Sequence, residues 1–227
     1  MADQERPIVA IDGPAGSGKS TVARKLAQRL GYVYIDTGAM YRSVALVARR
    51  SDVSWNDSDG LARVARNLDL RFEPDGERPK VVVGGNDVSL EIRSPEMDRG
   101  SSEVSRWPGV REALVAKQRE LAEHGGVVME GRDIGTVVFP HARAKFFVTA
   151  TVAERARRRT AELQARGETV DPAQVEADVA ERDRRDMERE HSPLCQAEDA
   201  VEVVTDGLTI EQVIDRLEQA VREREHA

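Results

Sequence analysis

Residues 13–20 read Gly-Pro-Ala-Gly-Ser-Gly-Lys-Ser, and no other stretch restricts the fold of this chain as strongly. The pattern G-x-x-x-x-G-K-[ST] belongs to loops that hold nucleotide phosphates, and it requires a buried strand before it and a helix after it. Both are legible. Ile8-Val9-Ala10-Ile11 is a short, continuous apolar run of the kind buried in a parallel sheet. Val22, Ala23, Leu26, Ala27 and Leu30 recur at helical spacing, and Gly31 supplies a stop. Gly13, Gly16 and Gly18 lack a Cβ and let the backbone wrap around an anion. The N–H groups of the loop, with Pro14, Ala15 and Ser17 between the glycines, then face the phosphates together with the helix start at Lys19-Ser20-Thr21. Lys19 brings a mobile positive charge for the β and γ groups, and the Ser20 hydroxyl is placed to ligate Mg²⁺. ATP or GTP binding is the reading.

The rest of the chain predicts an α/β protein. Tyr32–Ile35, Val127–Met129, Lys145–Val148 and Ala200–Val204 read as four further strands. Helical stretches near 40–50, 108–123, 153–166 and 209–225 separate most of them. Thr209-Ile-Glu-Gln opens the last helix with a capping box whose spacing reads as imperfect. Alternation of this kind implies a five-stranded parallel sheet between two helical layers, with ligands at the carboxyl ends of the strands. The phosphate loop, Asp36-Thr37-Gly38 and Gly131-Arg132-Asp133 all follow strands and are expected on that rim. Residues 63–103 break the alternation. Leu68–Phe72, the turn Glu73-Pro-Asp-Gly-Glu77, Lys80–Val83 and Gly84-Gly85-Asn86 read as a small antiparallel insert. The expected division is therefore core at 1–62, insert at 63–103, core at 104–153, a charge-dense helical region at 154–190 and core at 191–227.

Charge and cysteine content limit the function. Net charge is −7, which argues against a general nucleic-acid binder, since a polyanion needs an electropositive face. No apolar run approaches 18 residues, and Met1–Pro7 is polar rather than signal-like, so no membrane association is expected. The single cysteine, Cys195, excludes an intramolecular disulfide and suits a reducing cytoplasm. Only five of the 34 Lys and Arg residues are lysine, so a lone arginine carries little information. Within Glu181–Arg189, helical spacing puts Arg182, Arg185, Asp186 and Arg189 on one face. Such a face suits a solvated, ion-paired helix, or one that closes over phosphates. Asp36 is read either as a metal support through water or as a strand-end carboxylate. His124, His141, His191 and His226 lie outside the motifs.

Four segments occur in order: Asp12–Ser20, Asp36-Thr-Gly-Ala-Met-Tyr-Arg42, Gly131-Arg-Asp-Ile-Gly-Thr-Val-Val-Phe-Pro140 and Glu181–Arg189. Together, and with Val110-Arg-Glu-Ala-Leu114, they resemble the bacterial cytidylate kinases over nearly the whole chain. The resemblance implies a P-loop nucleoside-monophosphate kinase that phosphorylates CMP and dCMP with ATP and Mg²⁺. It implies that Arg42, Arg132 and Arg189 hold the acceptor's phosphate, and that Ser102, Arg111 and Asp133 read cytosine. Arg182 and Asp186 would approach the ribose, Thr37 would line the acceptor pocket, and Lys19, Arg132 and Arg189 would act in catalysis. All of these come from one chain, so a monomer is expected. Val204-Thr205-Asp206-Gly207 departs from the Asp-Ser/Thr-Ser/Thr often found before Leu-Thr-Ile-Glu in such proteins, and no donor-base contacts are assigned there. The alternatives are the same fold acting on UMP, dTMP or another small acceptor, and a nucleotide-dependent switch without acceptor turnover. A nucleic-acid-processing ATPase is disfavoured by the acidic balance and the compact length.

Overall fold

The structure is a computed structural model that describes residues 6–76 and 78–225. Most of the Met1–Pro7 reading, Glu77 of the predicted turn and His226 lie outside the described residues. In chain order the elements are β1 (Ile8–Asp12), α1 (Lys19–Leu30), β2 (Val33–Asp36), α2 (Thr37–Arg50) and α3 (Ser58–Arg66). There follow β3 (Leu70–Glu73), β4 (Lys80–Val83), β5 (Asn86–Asp87), a 3₁₀ turn (Glu91–Arg93), α4 (Pro95–Val104) and α5 (Pro108–Leu121). The last third holds β6 (Val127–Gly131), a π-helical turn (Ile134–Val138), β7 (Ala144–Thr149), α6 (Val152–Ala165), α7 (Pro172–Glu188), β8 (Val201–Val204) and α8 (Ile210–Glu225).

A five-stranded parallel sheet in the order β2-β6-β1-β7-β8 forms the core, and β3-β4-β5 make a separate antiparallel sheet. The α/β/α class predicted from the alternation is the class found. β1 lies between β6 and β7, with Ile11 opposite Glu130 on one side and Phe146 on the other. Val9, Ala10 and Ile11 are buried because a central parallel strand is covered on both faces.

By compactness the chain divides into two units, one running to Val33 and resuming at Gly126, the other covering Tyr34–Gly125. In the first, α1 packs on α8, where Arg29 reaches Glu211, Asp215 and Glu218. Gly31 ends α1 in the left-handed conformation (φ 66°), as its place after the last apolar residue predicts. The α8 start corrects the sequence reading: Gln212 closes the capping box. Thr209 Oγ1 accepts from Gln212 N–H at 3.2 Å, and Gln212 Oε1 accepts from Thr209 N–H at 2.9 Å. In the second unit α2 packs on α4 and α3 on α5. Trp55 Nε1 donates to Ala45 O (3.1 Å) and Trp107 Nε1 donates to Trp55 O (2.9 Å), which satisfies both indoles where they are partly buried.

Helices α3 and α4 were not predicted, and α4 lies within the range read as an antiparallel insert; two further features were not expected. The π-helical turn after β6 follows from bonds five residues apart, Val138 N–H to Asp133 O and Phe139 N–H to Ile134 O. The helix predicted to run through Arg189 stops at Glu188, and Arg189 is extended (φ −62°, ψ 140°). The chain folds back there, with Leu194 N–H bonded to Asp186 O and Ser192 at φ 51°. That return of the chain onto Asp186 O ends the helix at Glu188, and Pro193 keeps it from resuming.

Candidate functional site

The phosphate loop is built by backbone conformation. Gly13 (φ 148°), Gly16 (φ 77°) and Gly18 (φ 89°) all occupy conformations that side chains disfavour. Gly13 is the most constrained, since a Cβ there would lie 2.0 Å from Val148 O. Gly18 caps α1, whose first turn bears Lys19, Ser20 and Thr21. Lys19 is buried and folds back so that Nζ donates to Pro14 O at 3.1 Å. Pro14 and Ser17 are buried, while Ala15 and Gly16 reach the surface. Two further loop carbonyls are held by side chains from elsewhere in the unit. Ala15 O accepts from Arg155 Nη1 (3.1 Å), and Ser17 O accepts from Arg158 Nη1 (3.2 Å) and Thr205 Oγ1 (3.1 Å).

Asp12, the last residue of β1, fixes the neighbouring strand end. Its Oδ1 accepts from Ile134 N–H at 2.8 Å and its Oδ2 from Gly135 N–H at 2.7 Å. Asp133 stands immediately before this π-helical turn, so the Asp12 carboxylate sets the backbone that presents it. Burial raises the Asp12 pKa from 3.8 to about 6 against the lowering effect of the two N–H donors.

On the same unit, Arg132 Nε donates to Asp186 Oδ2 at 2.9 Å. Burial works against the Asp186 charge, but Arg132, Arg182 and Arg189 outweigh it and hold the carboxyl below the usual range. Arg182 and Arg189 are half-buried, and Arg189 Nε donates to Ser192 O at 2.5 Å. Of the face predicted from spacing, Asp186 is buried, Arg182 half-buried and Arg185 exposed, while Arg189 lies beyond the helix; Val175 and Asp183 are buried with Asp186. Val175 sets the rotation of α7, and residues eight and eleven positions on follow it inward.

The second unit carries Thr37, Arg42, Ser102 and Arg111. Asp36 caps α2 through Ala39 N–H (2.9 Å) and accepts from Arg42 Nη2 (2.9 Å), a structural role at the strand end. Arg42 Nη1 lies 3.9 Å from Asp98, and its Nε is buried without a hydrogen-bond partner among the described residues. Gly38 leaves room for the guanidinium, since a Cβ there would meet Arg42 Nη1 at 3.2 Å. Thr37 is buried at the start of α2. Arg111 is 5% exposed, stands 5.7 Å from the Tyr41 ring centroid and donates to Ser105 O at 3.5 Å. Ser102 is half-buried on α4. Each unit thus gathers its own share of the expected residues.

Asp12, Arg155, Arg158, Asp183 and Thr205 take part in this construction without having been singled out in the sequence. Asp12 offered a signal, a carboxylate between an apolar strand and the loop. Arg155 and Arg158 are diluted by the run Arg155–Arg159.

No group of three or more His, Cys, Asp or Glu among the described residues is arranged to hold a metal ion. Mg²⁺ at nucleotide sites takes one or two protein oxygens and completes its shell with water and phosphate oxygens. The exposed Ser20 hydroxyl at the loop's end fits that donor set. No helix among the described residues is long and apolar enough to cross a membrane.

A parallel sheet with a glycine loop between its central strand and a helix defines a P-loop nucleotide-phosphate-binding protein. The cytidylate kinase family model matches residues 9–223, and the chain belongs to that family. A cytidylate kinase from Geobacter sp. (strain M21) is 52% identical over 217 residues, covering 96% of this chain and 93% of the relative. One from Geobacter sulfurreducens is 49% identical, covering 97% and 94%. A bifunctional pantoate ligase/cytidylate kinase from Synechococcus elongatus is 53% identical over 96% of this chain, which spans 42% of that longer protein.

Proposed function

We propose that the chain transfers the γ-phosphoryl group of ATP to CMP and dCMP, giving ADP with CDP or dCDP. Membership of the cytidylate kinase family over nearly the whole length carries this reading. The phosphate loop of Gly13–Ser20 and Thr21 is the donor-phosphate site, and Lys19 neutralises charge on the transferred group. Mg²⁺, held by Ser20 and the phosphates, would add further positive charge at the same oxygens. Arg132 and Arg189 are assigned to the acceptor's phosphate, as is Arg42 on the other unit. Asp133, with Ser102 and Arg111, is assigned to the cytosine edge, and Arg182 and Asp186 to the ribose. Thr37 completes the acceptor-binding set.

The chemistry needs no general base. A phosphate monoester has a second pKa near 6, so the attacking oxygen is largely ionised at neutral pH. Catalysis then consists of aligning two anions and neutralising their charge, which suits a site rich in arginine. Arg132 is already paired with Asp186, so it is held in place by a carboxylate. An Asp that accepts from the cytosine amino group supplies discrimination, because a competing base leaves a buried partner unpaired.

Residues 63–103 are proposed as the acceptor-binding insert and 154–190 as the lid, with 1–62, 104–153 and 191–227 as core. Net charge of −7 supports a chain that works without nucleic acid, and the single free Cys195 supports a reducing cytoplasm. A monomer is proposed because every assigned residue comes from one chain. The test is transfer itself. Incubation with γ-labelled ATP, Mg²⁺ and CMP is expected to move the label into CDP, and label appearing only as inorganic phosphate would overturn the assignment.

A further inference from the structure

The phosphate loop and α7 share a buried guanidinium that none of the assigned roles uses. Arg155 is 3% exposed in the first turn of α6, and Asp183 is 7% exposed on the inward face of α7. Arg155 Nη1 donates to Asp183 Oδ1 at 2.9 Å, and Nη2 donates to Oδ2 at 2.5 Å, a bidentate pair. The other contacts of Arg155 go to backbone. Nε donates to Ala150 O at 2.9 Å, just beyond β7, and Nη1 also donates to Ala15 O at 3.1 Å in the loop. Gly16 rests on the same residue, since a Cβ there would meet Arg155 Cβ at 3.3 Å.

This contact has a direction. In a trans peptide the C=O and the following N–H point opposite ways. Holding Ala15 O on the guanidinium therefore turns the Gly16 N–H away from it, as an anion-binding loop requires. At its other end the pair grips α7 one residue after Arg182 and three before Asp186, and Asp186 holds Arg132. A buried ion pair is weak evidence for stability alone, because well-packed apolar residues often serve as well. Its geometry here joins the donor-phosphate loop to the helix that carries the ribose-directed Arg182 and Asp186.

We propose that Arg155 and Asp183 are positioning residues that couple donor binding at the phosphate loop to the setting of α7. The proposal rests on the function assigned above. Phosphates that draw the loop into its anion-binding shape fix Ala15 O and, through Arg155 and Asp183, fix α7. ATP and CMP binding thereby favour one another, and the effect is reciprocal by linkage.

The experiment measures CMP affinity by calorimetry with and without a non-hydrolysable ATP analogue and Mg²⁺. In the wild-type protein the analogue is expected to tighten CMP binding about tenfold, within the usual range of such couplings. In Asp183→Asn that factor should fall to about twofold or less, while the analogue's own affinity changes less than about threefold. Arg155→Lys, which keeps the charge but loses the fork, should weaken the coupling in the same way and replaces Asp183→Asn if the latter fails to fold. A coupling factor unchanged in these variants, or absent from a wild-type protein that binds both ligands, would overturn the proposal alone. A wild-type protein that binds the analogue but not CMP would overturn the assigned function and this proposal with it.

Discussion

The phosphate loop and the arginine-bearing end of α7 are both proposed to handle phosphate-bearing ligands, but they are made differently. The loop is fixed by backbone: three glycines at positive φ, and at Gly13 no space for even one methyl group beside Val148 O. The α7 end is fixed by charge. Arg132 lies on Asp186, while Arg184 spans Glu181 and Glu188 on the exposed face. A glycine-built nest has no room for added side-chain atoms, whereas a side-chain pair can exchange one anion for another. Donor binding should therefore be broken by steric changes, and acceptor binding by charge changes.

The largest effect follows from the steric side. Gly13→Ala places a Cβ at 2.0 Å from a carbonyl oxygen and should cost about 3 kcal/mol or more of stability, with nucleotide binding lost. Thermal unfolding and ATP titration would check it, and a variant as stable as the parent would break the contrast. Lys19→Ala comes next. Removing the charge proposed to neutralise the transferred group should lower kcat by about a thousandfold, with a smaller change in fold stability. Asp133→Ala should raise the KM for CMP about ten- to a hundredfold and leave that for ATP nearly unchanged. Equal effects on the two substrates would remove Asp133 from the base-reading role.

The smallest effects are in pH dependence, where two carboxylates differ in sign. Asp186 is held below its ordinary range, so its pairing with Arg132 contributes stability above about pH 4 that is lost as pH falls through the lower folded value. Asp12 is raised from 3.8 to about 6, so between those values the folded protein keeps a proton that the unfolded chain releases. Its contribution to stability therefore declines as pH rises through that window. An infrared carboxyl band titrating near pH 6, absent from Asp12→Asn, is the expected signature. A band titrating near pH 4 would show that the two N–H donors outweigh burial.

The same contrast explains what could be read from the sequence. The loop, β1 and the Gly31 stop were legible because glycine spacing and an apolar run express local backbone chemistry. The antiparallel insert was legible through its turn residues. The α7 end was read only in part. The spacing grouped Arg182, Arg185 and Asp186 without saying which of them is buried, and Asp183 was overlooked, because the helix's rotation is set by how Val175 packs rather than by the charge pattern. Arg189 leaves the helix because the chain turns back toward Leu194, a tertiary event. Arg155 was one arginine in a run of them, and only its contacts with Asp183 and Ala15 distinguish it. The π-helical turn at Ile134–Val138 depends on the Asp12 carboxylate from another strand, which no local pattern encodes.

The most direct test of the account is ADP formation from ATP and Mg²⁺ with CMP, dCMP, UMP, dTMP, AMP or GMP as acceptor. The account predicts turnover that depends strongly on CMP and dCMP and only weakly on the other four. ADP formation at the same rate with or without any acceptor would contradict it.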